Sequence, residues 1–140
     1  MKYIFTILFS YFIIIEPSFT HTFNSKNIFI DHPHIKIKDG FAKGWLNIHN
    51  KSKSQLDLIG VRTNFSNDFE FHKDELINNH LEMLSIEKIS IPAETEVSFK
   101  KSNLHIMFRN LNSKLNWFES HNAILIFNNS FEVEIEFDVD

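Results

Sequence analysis

Two side chains that can bind a soft metal ion share one face of a short segment, LHIMF, at residues 104–108. The segment has the pattern of a β-strand, in which side chains two positions apart point to the same side of the sheet. His105 and Met107 therefore face one way, and the three apolar residues of the segment face the other way, toward a core. Imidazole and thioether are donors that suit Cu(I), so the pair indicates a copper site.

Two more residues extend this candidate site. The chain contains three methionines, and Met1 is the initiator. Met83 precedes His105 with 21 residues between them, and His72 precedes Met83 with 10 residues between them. The resulting pattern is His72-x10-Met83-x21-His105-x-Met107. Two imidazoles and two thioethers can form a three- or four-coordinate site around Cu(I).

The absence of cysteine restricts both the metal and the function. A blue-copper centre needs a thiolate ligand, so a chain with no cysteine cannot form one. Carboxylate-rich sites suit Mg²⁺ or Ca²⁺, and Zn²⁺ seldom accepts a thioether. A weakly held, partly exposed Cu(I) can be passed on by ligand exchange, which favours a carrier over an enzyme. The sequence also lacks nucleophile-elbow glycines and His-Glu-x-x-His spacing.

The other histidines and the tryptophans are interpreted as structural. A lone histidine is more often a hydrogen-bonding residue than a ligand. This interpretation applies to three positions: His21, His49 and His121. For His32 and His34, on one strand face, a surface strand is favoured over a weak additional site, and His80 stays open as a substitute ligand three residues before Met83. Two large aromatic residues are expected in the core rather than over the metal: Trp45 and Trp117.

Short strands separated by turns must position these residues. Turn signals recur at the spacing typical of β-sandwiches, and no helical-period stretch of useful length competes. The predicted strands cover residues 27–38, 41–50, 56–62, 69–72, 81–91, 96–100, 104–109, 123–127 and 131–139. The pattern predicts one all-β domain, an antiparallel sandwich or barrel.

The last predicted strand, FEVEIEFDVD at residues 131–140, alternates without error between apolar and acidic residues. The apolar set is predicted to face the core and the acidic set to face water. Five carboxylates on one face also suit a hard cation, but a solvated face that protects a sheet edge is the favoured interpretation.

The sequence resembles the periplasmic copper chaperones of the PCu(A)C family, which serve the copper A centre of cytochrome oxidase. The four-residue pattern above matches the spacing of the family's His and Met ligands. Further segments are similar to family segments: GWLNIHN at 44–50, LDLIGV at 56–61, FEFHKD at 69–74 and SIPA at 90–93. The resemblance runs from about residue 28 to residue 139.

The resemblance implies a fold, a ligand set and a function. The implied fold is a cupredoxin-like Greek-key sandwich, and the implied Cu(I) ligands are His72, Met83, His105 and Met107. The implied function is a non-enzymatic metallochaperone that delivers or buffers copper. Its implied partner is cytochrome c oxidase subunit 2, with its copper A centre, or another copper-assembly protein.

Two departures from the family pattern keep an alternative open. The family places Pro-Gly-Gly before its His-x-Met, whereas residues 100–103 of this chain read KKSN. The chain also lacks a His- and Met-rich C-terminal tail, so a second copper site that depends on such a tail is not expected. The alternative function is an exported, non-catalytic β-sandwich module that binds metal weakly and engages a protein partner.

The N-terminal residues set the expected compartment. One basic residue, Lys2, precedes an apolar run at residues 3–15, which ends at Glu16-Pro17. This pattern is typical of a secretory signal peptide, here residues 1–20, followed by a single periplasmic domain at 24–140. The alternative is an uncleaved anchor that tethers the domain to the inner membrane, although the run is short for a membrane span.

The charge pattern argues against nucleic acid as a partner. The net charge is −4, and no basic run is longer than two residues. A surface that follows a phosphate backbone needs clustered Lys and Arg. We expect a monomer with no membrane contact beyond the N-terminal segment.

Overall fold

The structure is a computed structural model in which residues 22–140 are described. The signal-peptide prediction for residues 1–20, and His21, lie outside this part. The described residues form eleven strands, followed here in chain order: β1 (Thr22–Ser25), β2 (Ile28–Lys38), β3 (Phe41–Asn50), β4 (Leu56–Thr63), β5 (Ser66–Ile77), β6 (His80–Ile86), β7 (Ile89–Ile91), β8 (Thr95–Ser98), β9 (Leu104–Leu111), β10 (Ser120–Phe127) and β11 (Glu132–Val139). A 3₁₀ turn, Asn128–Ser130, joins the last two strands.

The strands form one folded, open sheet in the order β6-β5-β9-β3-β2-β11-β10-β4-β7, with β1 on β2 and β8 on β3. All the pairs are antiparallel except β2 with β11, which is parallel. The prediction of an all-β fold is confirmed, and the sheet is mixed because of this one pair. No helix within residues 22–140 has the length and apolar character needed to cross a membrane.

The core lies between the two halves of the folded sheet and is rich in phenylalanine. Alternation along β11 follows the prediction, since Val133, Ile135, Phe137 and Val139 are buried between more exposed acidic residues. Six phenylalanines are fully buried in this core: Phe65, Phe71, Phe99, Phe108, Phe127 and Phe137. Edge-to-face ring contacts, such as that between Phe65 and Phe108, fill the space between the layers.

Two predicted strands differ from the observed ones. The predicted strand at 81–91 is two strands, β6 and β7, which pair with β5 and β4 at opposite ends of the sheet order. The predicted strand at 69–72 is the middle of the longer β5, which continues into polar residues because it forms an exposed edge hairpin with β6. A period-two pattern marks strands but not their partners, which explains both differences.

A bulge in β2 separates His32 from His34. Pro33 cannot donate to the ladder, the register shifts between Asp31 and His34, and His32 has a positive φ of 52°. His32 is exposed, whereas the His34 ring stacks on Trp45 with centroids 5.5 Å apart. The regular alternation that predicted a shared face for these two histidines is therefore broken.

Gly44 allows β3 to pack closely against the core. A Cβ at this position would lie 3.0 Å from Cε2 of Phe108. We expect Gly44→Ala to destabilise the protein by about 1–3 kcal/mol, because the ring and its neighbours would have to shift. Urea unfolding followed by circular dichroism measures this change.

Gly60→Ala is the matched control. Its new Cβ would lie 3.4 Å from the nearest atom, the flexible Cδ1 of Ile126. We expect a clearly smaller loss of stability, and equal losses for the two variants would contradict the packing described for Gly44.

Candidate metal site

Strand pairing brings three of the four predicted ligands together. His72 lies directly opposite His105 in the antiparallel pair β5–β9, and Met83 lies opposite Asp74 in the pair β5–β6. Directly opposed residues share a sheet face. We call this face the site face: the side of β3, β5, β6 and β9 that carries Trp45, His72, Met83, His105 and Met107.

Short distances connect the side chains on the site face. Nε2 of His105 lies 3.2 Å from Sδ of Met83. The rings of His72 and His105 meet edge to face, with centroids 5.3 Å apart. Two donors bound to one metal ion at bond lengths of about 2.0–2.3 Å lie roughly 3–4 Å apart. The His105–Met83 distance falls in that interval.

Met107 lies on the same face, two residues beyond His105 on β9. Its direct neighbours across the sheet are Glu70 on β5 and Lys43 on β3. Met107 is buried, yet it does not belong to the main hydrophobic cluster that contains Ile106 and Phe108. The prediction that His105 and Met107 face away from the core is therefore confirmed.

A site that passes copper on is expected at an exposed rim at one end of the sandwich, with His72 at the end of its strand, and this expectation is wrong. His72 is 4% exposed, His105 1% and Met107 5%, whereas Met83 is 47% exposed. His72 also lies within its strand and not at its end. Side chains from the neighbouring strands contact His105 on this face: Trp45 from β3, His72 from β5 and Met83 from β6. Met83 lies on β6, the last strand of the sheet order, and is open to water.

Glu70 and Arg109 hold the His72 ring in place. Nε2 of His72 donates to Oε2 of Glu70 at 2.6 Å, and Arg109 binds both carboxylate oxygens of Glu70. The hydrogen bond from His72, with the charge of Arg109, lowers the pKa of Glu70 below its ordinary value. An ionised carboxylate only accepts, so Nε2 carries the hydrogen and Nδ1 of a neutral ring is a bare acceptor.

The His72 Nδ1 atom is buried and has no hydrogen-bond partner among residues 22–140. A buried nitrogen without a partner is costly in an ordinary protein interior. A histidine that binds a metal ion through one ring nitrogen commonly donates the hydrogen of its other ring nitrogen to a carboxylate. Glu70 and Arg109 were not predicted to be part of the site. Glu70 lies two positions from His72 and Arg109 lies two positions from Met107, so each shares a strand face with a predicted ligand.

His105 is held in its neutral form. Burial lowers its pKa to about 4, and the positive charge of Lys43 acts in the same direction. Asp74 opposes this shift, since its Oδ2 lies 3.8 Å from Nδ1 of His105. Neutral imidazole is the form that binds metal ions, so protons compete little for this residue near pH 7.

The KKSN segment makes a tight turn before His105 without glycine. Asn103 takes the left-handed conformation with φ 56°, which asparagine tolerates better than most residues. Its carbonyl accepts from the backbone N–H of Asp74 at 2.8 Å, which ties the turn to β5. The turn therefore presents His105 beside His72 despite the missing Pro-Gly-Gly.

Other candidate residues lie away from the site or differ from expectation. His80 is three positions from Met83 on β6, so it points to the opposite face and is not placed to replace Met83. Trp117 is 69% exposed, so its predicted core position is wrong. Trp45 packs partly against the core, and its ring lies 6.3 Å from that of His105. Within residues 22–140, no three His, Cys, Asp or Glu side chains come together as a metal-binding group.

The LpqE-like family model matches residues 28–139, which is most of the chain. This chain belongs to the LpqE-like family. No curated protein matches the sequence. This match assigns the family at the level of sequence, and the four-residue His/Met pattern stays a prediction.

Solved structures similar to this LpqE-like protein include PCuAC domains. A copper-bound PCuAC domain from PmoF2 is 21% identical with a TM-score of 0.71, covering 86% of this chain and 97% of that one. An apo PCuAC domain from PmoF1 is 16% identical with a TM-score of 0.73, covering 86% and 98%. The solution structure of CuI-DR1885 from Deinococcus radiodurans is 16% identical with a TM-score of 0.60, covering 77% and 74%. These similarities confirm the cupredoxin-like sandwich.

The low pKa of His105 makes folding stability depend on pH. The unfolded chain binds a proton near pH 6.5, and the folded protein binds it only near pH 4. Stability from this residue is therefore complete above pH 6.5 and is lost as the pH falls toward 4. We expect the metal-free protein to lose about 2–3 kcal/mol over this interval in urea unfolding.

His105→Gln removes this titrating group and should flatten the pH dependence between 6.5 and 4, whatever its effect at pH 7. An equally steep dependence in the variant would show that other groups cause it.

Proposed function

We propose that this LpqE-like protein is a Cu(I)-binding metallochaperone whose ligands are His72, Met83, His105 and Met107. The observation that carries the proposal is the short contact between Nε2 of His105 and Sδ of Met83, beside the unpartnered Nδ1 of His72. Copper is the cargo of this protein and not a cofactor for a reaction.

The donor set supports Cu(I) over other metals. Imidazole serves Zn²⁺, Cu²⁺ and Cu(I), but thioether sulfur favours Cu(I). The site face supplies neutral imidazole from His105 and a thioether from Met83 in contact with it. The copper-bound PmoF2 domain and the CuI form of DR1885 share this fold, which supports the same cargo here.

The unequal burial of the four proposed ligands supports a function as a copper carrier. Three ligands are buried and hold the ion away from water, whereas Met83 is half-exposed on the edge strand β6. A partner's donor can replace Met83 first while the buried imidazoles still hold the ion. Ligand exchange of this kind transfers copper without releasing it into solution.

We propose that this protein delivers its copper to the copper A centre of cytochrome c oxidase subunit 2 in the periplasm. This proposal is supported by the resemblance to the PCu(A)C chaperones and by the signal-like pattern of residues 1–20. Anaerobic mixing of the Cu(I)-loaded protein with the apo copper A domain tests it. Copper found in the copper A domain after mixing supports delivery. Copper that stays on the LpqE-like protein contradicts delivery and indicates that the protein buffers copper instead.

Removal of a thioether is expected to weaken copper binding much more than zinc binding. We expect Met83→Ala to weaken Cu(I) binding at least tenfold and to leave residual Zn²⁺ binding nearly unchanged, because both imidazoles remain. His72→Ala and His105→Ala should weaken both metals. Anaerobic competition with a Cu(I) chelator measures the affinities.

Because Met107 is buried, its role is tested by substitution with leucine and not with alanine. Met107→Ala would leave a cavity and cost about 2–5 kcal/mol, so a loss of copper could reflect unfolding. Met107→Leu conserves volume and removes only the sulfur. We expect it to melt close to the wild type and to bind Cu(I) more weakly. A Met107→Leu variant with unchanged Cu(I) affinity would remove Met107 from the ligand set.

The carboxylate behind His72 should affect copper binding without contacting the ion. We expect Glu70→Gln to lower Cu(I) affinity by about 10–100-fold, because partners that orient a ligating histidine typically contribute that much. Glu132→Gln is the matched control, since it disrupts a similar exposed ion pair with Arg62 away from the site. Equal affinities for the two variants would contradict a positioning role for Glu70.

A further inference from the structure

The β5–β6 hairpin extends past the rest of the sheet beside the copper site. β5 pairs with β9 only as far as Lys73, whereas its pairing with β6 continues to Ile77. Residues 74–77 of β5, the turn at 78–79 and residues 80–83 of β6 therefore form a two-stranded extension, which we call the arm. Two strands without a third strand or a helix bury little apolar surface, so core packing does not explain the apolar residues of the arm.

The arm carries its leucines on the outer side of the sandwich. Leu76 lies directly opposite Leu81, and Met83 is two positions from Leu81, so all three project from the site face. Leu76 is 69% exposed and Leu81 is 72% exposed. The opposite face of the arm carries Glu75 directly opposite Glu82. On β11 the outer face is the acidic one, so the arm reverses that pattern. A contiguous exposed apolar patch typically marks a binding surface.

The position of these leucines determines what covers them where copper is exchanged at Met83, as proposed above. A donor atom that replaces Met83 must come within about 2.3 Å of the ion, close to Sδ of Met83 and Nε2 of His105. Leu81 is two residues from Met83, about 7 Å along β6. A protein interface of about 800 Å² on each side is roughly 30 Å across. A protein that takes the ion at Met83 therefore also covers Leu81 and, opposite it, Leu76.

Two lysines beside the arm give the covering protein a preferred charge. Lys100 and Lys101 are exposed in the turn before β9, and the N–H of Asp74 donates to the carbonyl of Asn103 in the same turn. Asp74 is the acidic residue opposite Met83, and the two glutamates of the arm lie on its other face. A partner with acidic groups around an apolar centre is complementary to this end of the site face.

We propose that Leu76 and Leu81 form the docking surface for the protein that accepts copper at Met83. The acceptor presents an apolar patch with Asp or Glu side chains at its rim and its own Cu(I) donors at the centre. Docking holds one of these donors over Met83, so copper passes between the proteins inside a complex. The arm speeds up transfer without contacting the ion. This docking surface rests on the function proposed above, since it presupposes copper exchange at Met83.

Transfer kinetics separate docking from copper binding. The Cu(I)-loaded protein is mixed anaerobically with either of two acceptors, the apo copper A domain or a small-molecule Cu(I) chelator. The double variant Leu76→Ser, Leu81→Ser should keep the wild-type Cu(I) affinity and the wild-type rate of transfer to the chelator, which needs no docking surface. Its transfer to the copper A domain should slow by about tenfold or more, because the complex loses the apolar contacts of two leucines.

Ile59→Ser is the matched control for the leucine variant. It removes an exposed apolar side chain from β4, a strand near the other end of the sheet order, and should transfer copper to both acceptors as the wild type does. Equal rates of transfer to the copper A domain from the wild type and the leucine variant would overturn the docking surface and leave the copper carrier standing. A wild type that gives copper to the chelator but not to the copper A domain would contradict delivery and overturn the docking surface with it.

Ionic strength tests the charge of the acceptor surface. Transfer from the wild type to the copper A domain should slow as salt is added, because salt screens the attraction between the lysines and an acidic rim. The double variant Lys100→Gln, Lys101→Gln should transfer more slowly at low salt and depend less on salt. Transfer rates that do not change with salt in either protein would overturn the acidic rim.

Discussion

The geometry of the site depends on the register in which β5 pairs with β9. In the observed register His72 lies opposite His105, while the neighbouring pair, Phe71 and Ile106, faces the core. A slip of one residue in this pairing would place His72 opposite Ile106, so that one imidazole would turn into the core and Phe71 would turn to the outside. The burial of Phe71 and Ile106 therefore fixes the relative positions of the histidines. The hydrophobic core thus determines where the proposed copper donors lie, although none of them belongs to it.

Burial on the outer face would allow the proposed weak donor set to hold Cu(I). Thioethers carry no charge, and a water-filled rim would let solvent compete with them for the metal. Burial of His72, His105 and Met107 would remove that competition, and burial keeps His105 neutral. The half-exposed Met83 leaves one route for exchange. The same burial lowers acid stability, because a histidine that resists protonation in the folded state is protonated readily in the unfolded one.

The sequence predicted the parts of this arrangement that follow from local alternation. Period two in LHIMF placed His105 and Met107 on one face, and period two in residues 131–139 placed the acidic residues of β11 outside. Spacing could not predict that β6 and β7 lie at opposite ends of the sheet, because pairing partners are set by long-range packing. Burial of the ligands was missed for the same reason, since a strand shows its own alternation but not what covers it. Trp117 is exposed although it is a large aromatic residue, because it lies in the loop between β9 and β10 and not on a strand.

Copper X-ray absorption spectroscopy of the Cu(I)-loaded protein tests the central claim most directly, because it identifies the atoms bound to the ion. The account predicts a first shell that contains both nitrogen and sulfur, with one sulfur fewer in Met83→Ala and one fewer in Met107→Leu. A first shell of nitrogen and oxygen alone, unchanged by either substitution, would contradict it.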